Sequence, residues 1–104
     1  VKPLADKFNS WWLYQASFKN LLHDANDPDD QFDGFNAFIA IEARSIEDAI
    51  EWGDYLSKRY AAEAPNLPFM GSCAELFVED PKLDTSGIPF IEYGYDASDE
   101  EIGW

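Results

Sequence analysis

Between Phe35 and Tyr60 the spacing of apolar residues changes from two to between three and four, and this change limits what the chain can fold into. Phe35, Ala37, Ile39, Ile41 and Ala43 alternate with Asn36, Phe38, Ala40 and Glu42, which is the period of a strand. From Ser45 to about Ala62, Ile46, Ala49, Ile50, Gly53, Leu56 and Tyr60 form one helical stripe. Ser45 is placed to cap the first free N–H groups, and Asp48 stands three residues on, where a capping box wants an acid. Glu47 and Asp48 suit the positive end of the helix dipole, Lys58 and Arg59 the negative end. Gly53 weakens the helix on its apolar side, which predicts close approach to a sheet. Pro65 and Pro68 stop the helix.

Around this strand–helix unit the remaining apolar runs read as strands. Trp12, Tyr14, Ala16 and Phe18 alternate with Trp11, Leu13, Gln15 and Ser17. A helix competes there, because Phe8, Trp11, Trp12, Phe18 and Leu22 fall near helical spacing; the residue types favour the strand. Ala74, Leu76 and Val78 alternate with Glu75, Phe77 and Glu79, and Ile88 to Tyr95 forms a further apolar run, with Pro81 to Gly87 as the turn between them. Ser98 to Glu101 would cap a last helical turn that Gly103 ends. The expected fold is α+β: one domain over residues 1–104, with a small antiparallel sheet of about four strands. The order is strand, strand, helix, strand, strand, and one main helix packs on one face. Ile39, Ile41, Ile50, Leu56, Leu76 and Val78 are the expected core.

The formal net charge of −14, with seven basic residues against 21 acids, argues against nucleic acid and against anionic membrane surfaces. Such a field attracts a basic protein. The acid is uneven: residues 1–23 are net +2, residues 24–34 net −5 and residues 65–104 net −8. No apolar stretch is long enough to span a membrane and no signal-peptide pattern opens the chain, which begins at Val1. Cys73 is the only cysteine, so no intrachain disulfide forms, and a reducing, cytoplasmic setting is expected. Cys73 itself is expected to be a buried structural thiol; a catalytic pair with the single histidine, His23, has no supporting context.

Candidate chemistry is sparse. Asp24, Asn26, Asp27, Asp29, Asp30 and Asp33 offer the hard oxygen ligands calcium takes, but Gln31 and Ala40 stand where an EF-hand needs an oxygen ligand and its bidentate glutamate. A solvated loop is the expectation, with no metal and no cofactor. Glu42, Glu75 and Glu92 each fall inside an expected strand and share a face if the strands adjoin. The six glycines are scattered singly, without a phosphate loop, and no serine has the context of a hydrolase nucleophile.

Two surfaces remain. Tyr95, Asp96, Asp99, Glu100, Glu101 and Trp104 bracket acids with aromatics, the composition of an interface for a basic target. Trp12 (or Trp11), Phe38 and Phe77 point away from the helix, where the N-terminal segment or a second subunit must cover them. The leading expectation is therefore a non-enzymatic acidic binding protein for a basic partner, of the immunity-protein or inhibitor type. A self-assembling homodimeric module is the alternative, and a small-molecule binder or enzyme in a dimer cleft is the third.

Overall fold

A computed structural model describes residues 9–24, 26–29, 34–78 and 87–104. The elements are β1 (Ser10–Lys19), β2 (Gly34–Ala43), α1 (Ile46–Glu63), β3 (Phe69–Leu76), β4 (Phe90–Glu92) and α2 (Asp99–Ile102). They form one four-stranded sheet in the order β3-β1-β2-β4, with α1 on one face. The fold is α+β in the expected chain order, with a mixed rather than purely antiparallel sheet. β1 pairs antiparallel with both β2 and β3, while β4 lies parallel to β2 through Ala40↔Phe90, Ile41↔Ile91 and Glu42↔Glu92.

The parallel strand has a topological cause. β3 and β4 occupy opposite edges, so the chain must cross the sheet between Leu76 and Phe90 rather than turn back on itself. Phe77 and Ile88, near the two described ends of that passage, pack with Trp11, Ala40, Leu13 and Phe90 on the face away from α1. The expected turn from Pro81 to Gly87 therefore joins no hairpin; its residues 81–86, like Glu79, lie outside the described residues.

Alternation along β1 and β2 builds the main core. Tyr14, Ala16 and Phe18 with Ala37, Ile39, Ile41 and Ala43 face α1, which answers with Ala49 and Leu56. The helix begins where the cap predicts, with Ser45 Oγ accepting from the Asp48 N–H at 3.2 Å. It runs to Glu63, so Lys58 and Arg59 stop short of its last turn, which holds no basic residue. Gly53 is buried against the Tyr14 ring, and a Cβ there would overlap that ring's carbons, so the close approach inferred from the glycine is present.

That approach leaves polar groups to satisfy inside the core. The Tyr14 hydroxyl donates to Asp54 Oδ1 at 2.8 Å and lies 3.0 Å from Ser57 Oγ. Ser57 Oγ donates to the Gly53 carbonyl at 2.8 Å, and Ser72 Oγ donates to Asp54 Oδ1 at 2.5 Å. These bonds join β1, α1 and β3 and fix the helix in register on the sheet.

The core differs from expectation at three positions. Ile39, Ile41 and Leu56 are fully buried and Ile50 half-buried, but Leu76 is 53% and Val78 70% exposed. β3 is an edge strand that ends at Leu76, so those side chains pass beyond the helix's cover. Cys73 is exposed for a related reason: it pairs with Gln15 on the face that α1 does not cover. Among the described residues no helix is long and apolar enough to cross a membrane.

Candidate protein-binding surface

Trp52 lies off the buried stripe of α1, and a group of aromatic side chains gathers around it. Its ring stacks on Tyr55 with centroids 4.8 Å apart and meets Tyr93 at 5.7 Å. The Trp52 indole N–H donates to the Tyr95 carbonyl at 3.0 Å. β4 makes this meeting possible: its pairing with β2, extended by the Tyr93 N–H to Glu42 O bond at 2.9 Å, delivers Tyr93 to the first half of α1. A turn through Gly94, whose φ of 90° suits glycine, then brings Tyr95 back over Trp52. The three tyrosines stay 43–51% exposed, a large aromatic area for a chain of this size to leave in water.

Carboxylates surround this patch. The Tyr93 hydroxyl donates to Glu51 Oε2 at 3.4 Å and the Tyr95 hydroxyl to Glu101 Oε2 at 2.5 Å. The charge of Glu51, with some desolvation and the charge of Asp48, raises the pKa of Tyr93. The hydrogen bond to Glu101 and its charge raise that of Tyr95. The same hydroxyl, helped by the Ser98 backbone, holds the Glu101 carboxyl below its ordinary value. Beside Tyr93 opens a cleft of about 520 Å³ lined by Asn9, Glu42, Ala43, Arg44, Asp48, Glu92 and Tyr93. Three carboxylates and one guanidinium thus wall a space large enough for a long side chain.

The acidic C-terminal segment divides into structural and exposed parts. Arg59 binds the Asp96 carboxylate and the Ala97 carbonyl, and reaches Asp99 Oδ1 at 3.3 Å. Asp96 and Asp99 therefore tie the loop after β4 to α1. Glu101 completes the capping box of α2 with Ser98. Trp104 packs on Phe18 and Tyr60, with centroids 5.7 and 5.6 Å away, closing the core. Tyr95 and Glu100 remain exposed. Sequence reasoning missed Trp52, Tyr55 and Tyr93; the available signal was two aromatics, Trp52 and Tyr55, three positions apart on α1 and outside its apolar stripe.

The remaining candidates are separated by the fold. Trp11, not Trp12, lies on the face away from α1; Trp12 packs on the helix side and donates its indole N–H to the Ala43 carbonyl at 3.0 Å. Phe77 is buried within its own chain against Phe90, at 5.6 Å, and only Phe38, 44% exposed, still faces solvent. Trp11 Nε1 finds no acceptor among the described residues. Glu42, Glu75 and Glu92 do share the face away from α1, but Glu75 sits on β3, opposite Leu13, while Glu42 and Glu92 are neighbours across β2 and β4. Cys73 Sγ, on the edge strand β3, lies 3.7 Å from Gln15 Oε1, and His23 lies beyond the end of β1.

In the aspartate loop, Asp24 Oδ1 and Asp27 Oδ1 accept from the backbone N–H groups of Asn26 and Asp29, both at 2.9 Å, as in turns that Asp favours. Asp30 and Asp33 lie outside the described residues, and among those described no three His, Cys, Asp or Glu side chains are placed to share a metal. No protein-family model, curated protein or solved structure matches this chain.

Proposed function

We propose that the protein is a non-enzymatic binding module that captures a basic protein through the patch of Trp52, Tyr55, Tyr93 and Tyr95 and the adjoining acidic cleft. One observation carries the reading: exposed aromatic rings run directly into a cleft walled by Glu42, Asp48 and Glu92. Tyrosine and tryptophan bury much area at low entropic cost, and their π faces attract guanidinium and ammonium groups. A lysine or arginine of the partner enters beside Tyr93 and meets the carboxylates there. Neighbouring partner residues cover Trp52 and Tyr55. The charge of −14 draws a basic protein towards this face and speeds encounter. An inhibitor or immunity protein acting on a basic enzyme fits this chemistry.

The test uses an array of lysine- and arginine-rich peptides, with dissociation constants measured at low and high salt. The reading expects a subset to bind, more weakly as salt rises. Tyr93→Ala should weaken that binding about tenfold or more, the effect of losing a hot-spot aromatic. Glu42→Gln with Glu92→Gln should do the same, whereas Glu63→Gln, at the far end of α1, should leave it within about twofold. Equal losses for all three variants would reduce the effect to net charge and overturn the assignment.

A further inference from the structure

The two edges of the sheet are built differently. β4 is three residues long, includes the exposed Glu92 and follows Pro89, the short, charged and proline-flanked form that resists pairing with another strand. β3 is eight residues long, contains no proline, lysine or arginine, and carries one charge, Glu75, in a chain with 28 charged residues. Its end leaves Leu76 exposed, with Val78 just beyond.

Among the described residues β3 also presents main-chain groups that no other strand takes up. Phe77 N–H donates to the Trp11 carbonyl, so by alternation Gly71, Cys73 and Glu75 turn their main chain towards β1. Ser72, Ala74 and Leu76 turn theirs outward, where no strand pairs among the described residues. We propose that this edge pairs antiparallel with the same edge of a second copy, joining two sheets into one of eight strands.

The register supports a second copy as the occupant. Outward-facing residues must oppose one another, so the twofold axis passes through a residue rather than between two. An axis at Ser72 sets Glu75 and Leu76 against Phe69 and Pro68. Those two lie past the irregularity opposite Ser17/Phe18, where Pro68 has no N–H and its carbonyl already accepts from Lys19. An axis at Cys73 keeps Phe69 and Pro68 out of the pairing: Ser72 opposes Ala74 and Gly71 opposes Glu75, and beyond them Leu76 meets Met70, the residue that the register with β1 skips, both exposed and apolar. The two Glu75 residues are then four positions apart, roughly 13 Å along the strands, farther than the Debye length at physiological salt. Two strongly acidic chains can approach along this edge with little local repulsion, and both aromatic patches, at the other edge of the sheet, stay free.

Cys73 provides the readout. At the axis it faces its copy across a non-hydrogen-bonded pair, where Cα atoms are about 4.5 Å apart, within reach of a disulfide. Sedimentation should show a mass rising with concentration from 11.8 kDa towards twice that value, more readily at high salt. Copper–phenanthroline should link the dimer through Cys73, the chain's one cysteine, and Cys73→Ser should still dimerise without linking. Leu76→Lys changes an exposed side chain and should weaken dimerisation more than about tenfold, lowering the linked fraction in parallel. Ala74→Pro removes one outward N–H and should act in the same direction. A monomer at every concentration in both salts would overturn the proposal. So would a dimer that is indifferent to both variants or does not link through Cys73.

Discussion

At Gly53 two preferences oppose each other. Alanine there would gain about 1 kcal/mol of helix propensity, but its methyl would enter the volume of the Tyr14 ring. The ring is anchored by its hydroxyl to Asp54 and Ser57 and has little freedom to give way. Gly53→Ala should therefore lower stability by about 1–3 kcal/mol in denaturant unfolding, as overpacked cores do; a gain would mean the helix stands further from the sheet. Burial of Tyr14 raises its pKa far above the ordinary value of 10.0; the Ser57 bond opposes this and Asp54 adds to it. The folded chain thus holds that proton more tightly than the unfolded chain. The resulting stability is complete below pH 10 and is lost as pH climbs towards the folded-state value. In an alkaline titration followed by tyrosinate absorbance, one of the five tyrosines should ionise only as the chain unfolds, and Tyr14→Phe should remove that late component. Ionisation of all five in the folded state would contradict this burial.

At the scale of elements, one guanidinium holds the chain's last segment in place. Arg59 gathers Asp96, the Ala97 carbonyl and Asp99, and α2 then sets Ile102 and Trp104 on the core. Arg59→Ala should cost about 1–2 kcal/mol, because the bonds are charge-assisted but Asp96 is largely exposed. Hydrogen exchange should quicken first at Ile102 to Trp104, and unchanged protection there would mean packing alone docks α2. β2 and α1 were legible in the sequence because each repeats one period over ten or more residues, and local chemistry marks the start of α1 at Ser45 and the two ends of α2 at Ser98 and Gly103. The parallel placement of β4 was not legible. It depends on a crossing of the sheet that leaves no local period, and only three of the residues in Ile88 to Tyr95 find a partner strand. Phe69 to Cys73 was missed as strand because Gly71 and Ser72 favour no extended state by themselves; pairing with β1 supplies it.

For the whole molecule, charge and shape act together. The acidic balance was readable from composition, and the mixing of aromatics with acids in the last segment was readable from its residue order. The centre of the aromatic patch was not. Trp52, Tyr55 and Tyr93 come together only because β4 reaches α1 across the sheet edge, and the acids beside Trp104 proved to be engaged by Arg59 and by the cap of α2. The most direct measurement is a nitrogen–proton NMR titration of the protein with the tightest-binding peptide of the basic array. The account predicts that shifts concentrate at the Trp52 indole N–H and the backbone of Tyr55, Tyr93 and Tyr95, with Glu42 and Glu92 following and the aspartates of the β1–β2 loop unmoved. Shifts spread evenly over the 21 acidic residues, with the Trp52 indole unaffected, would contradict it.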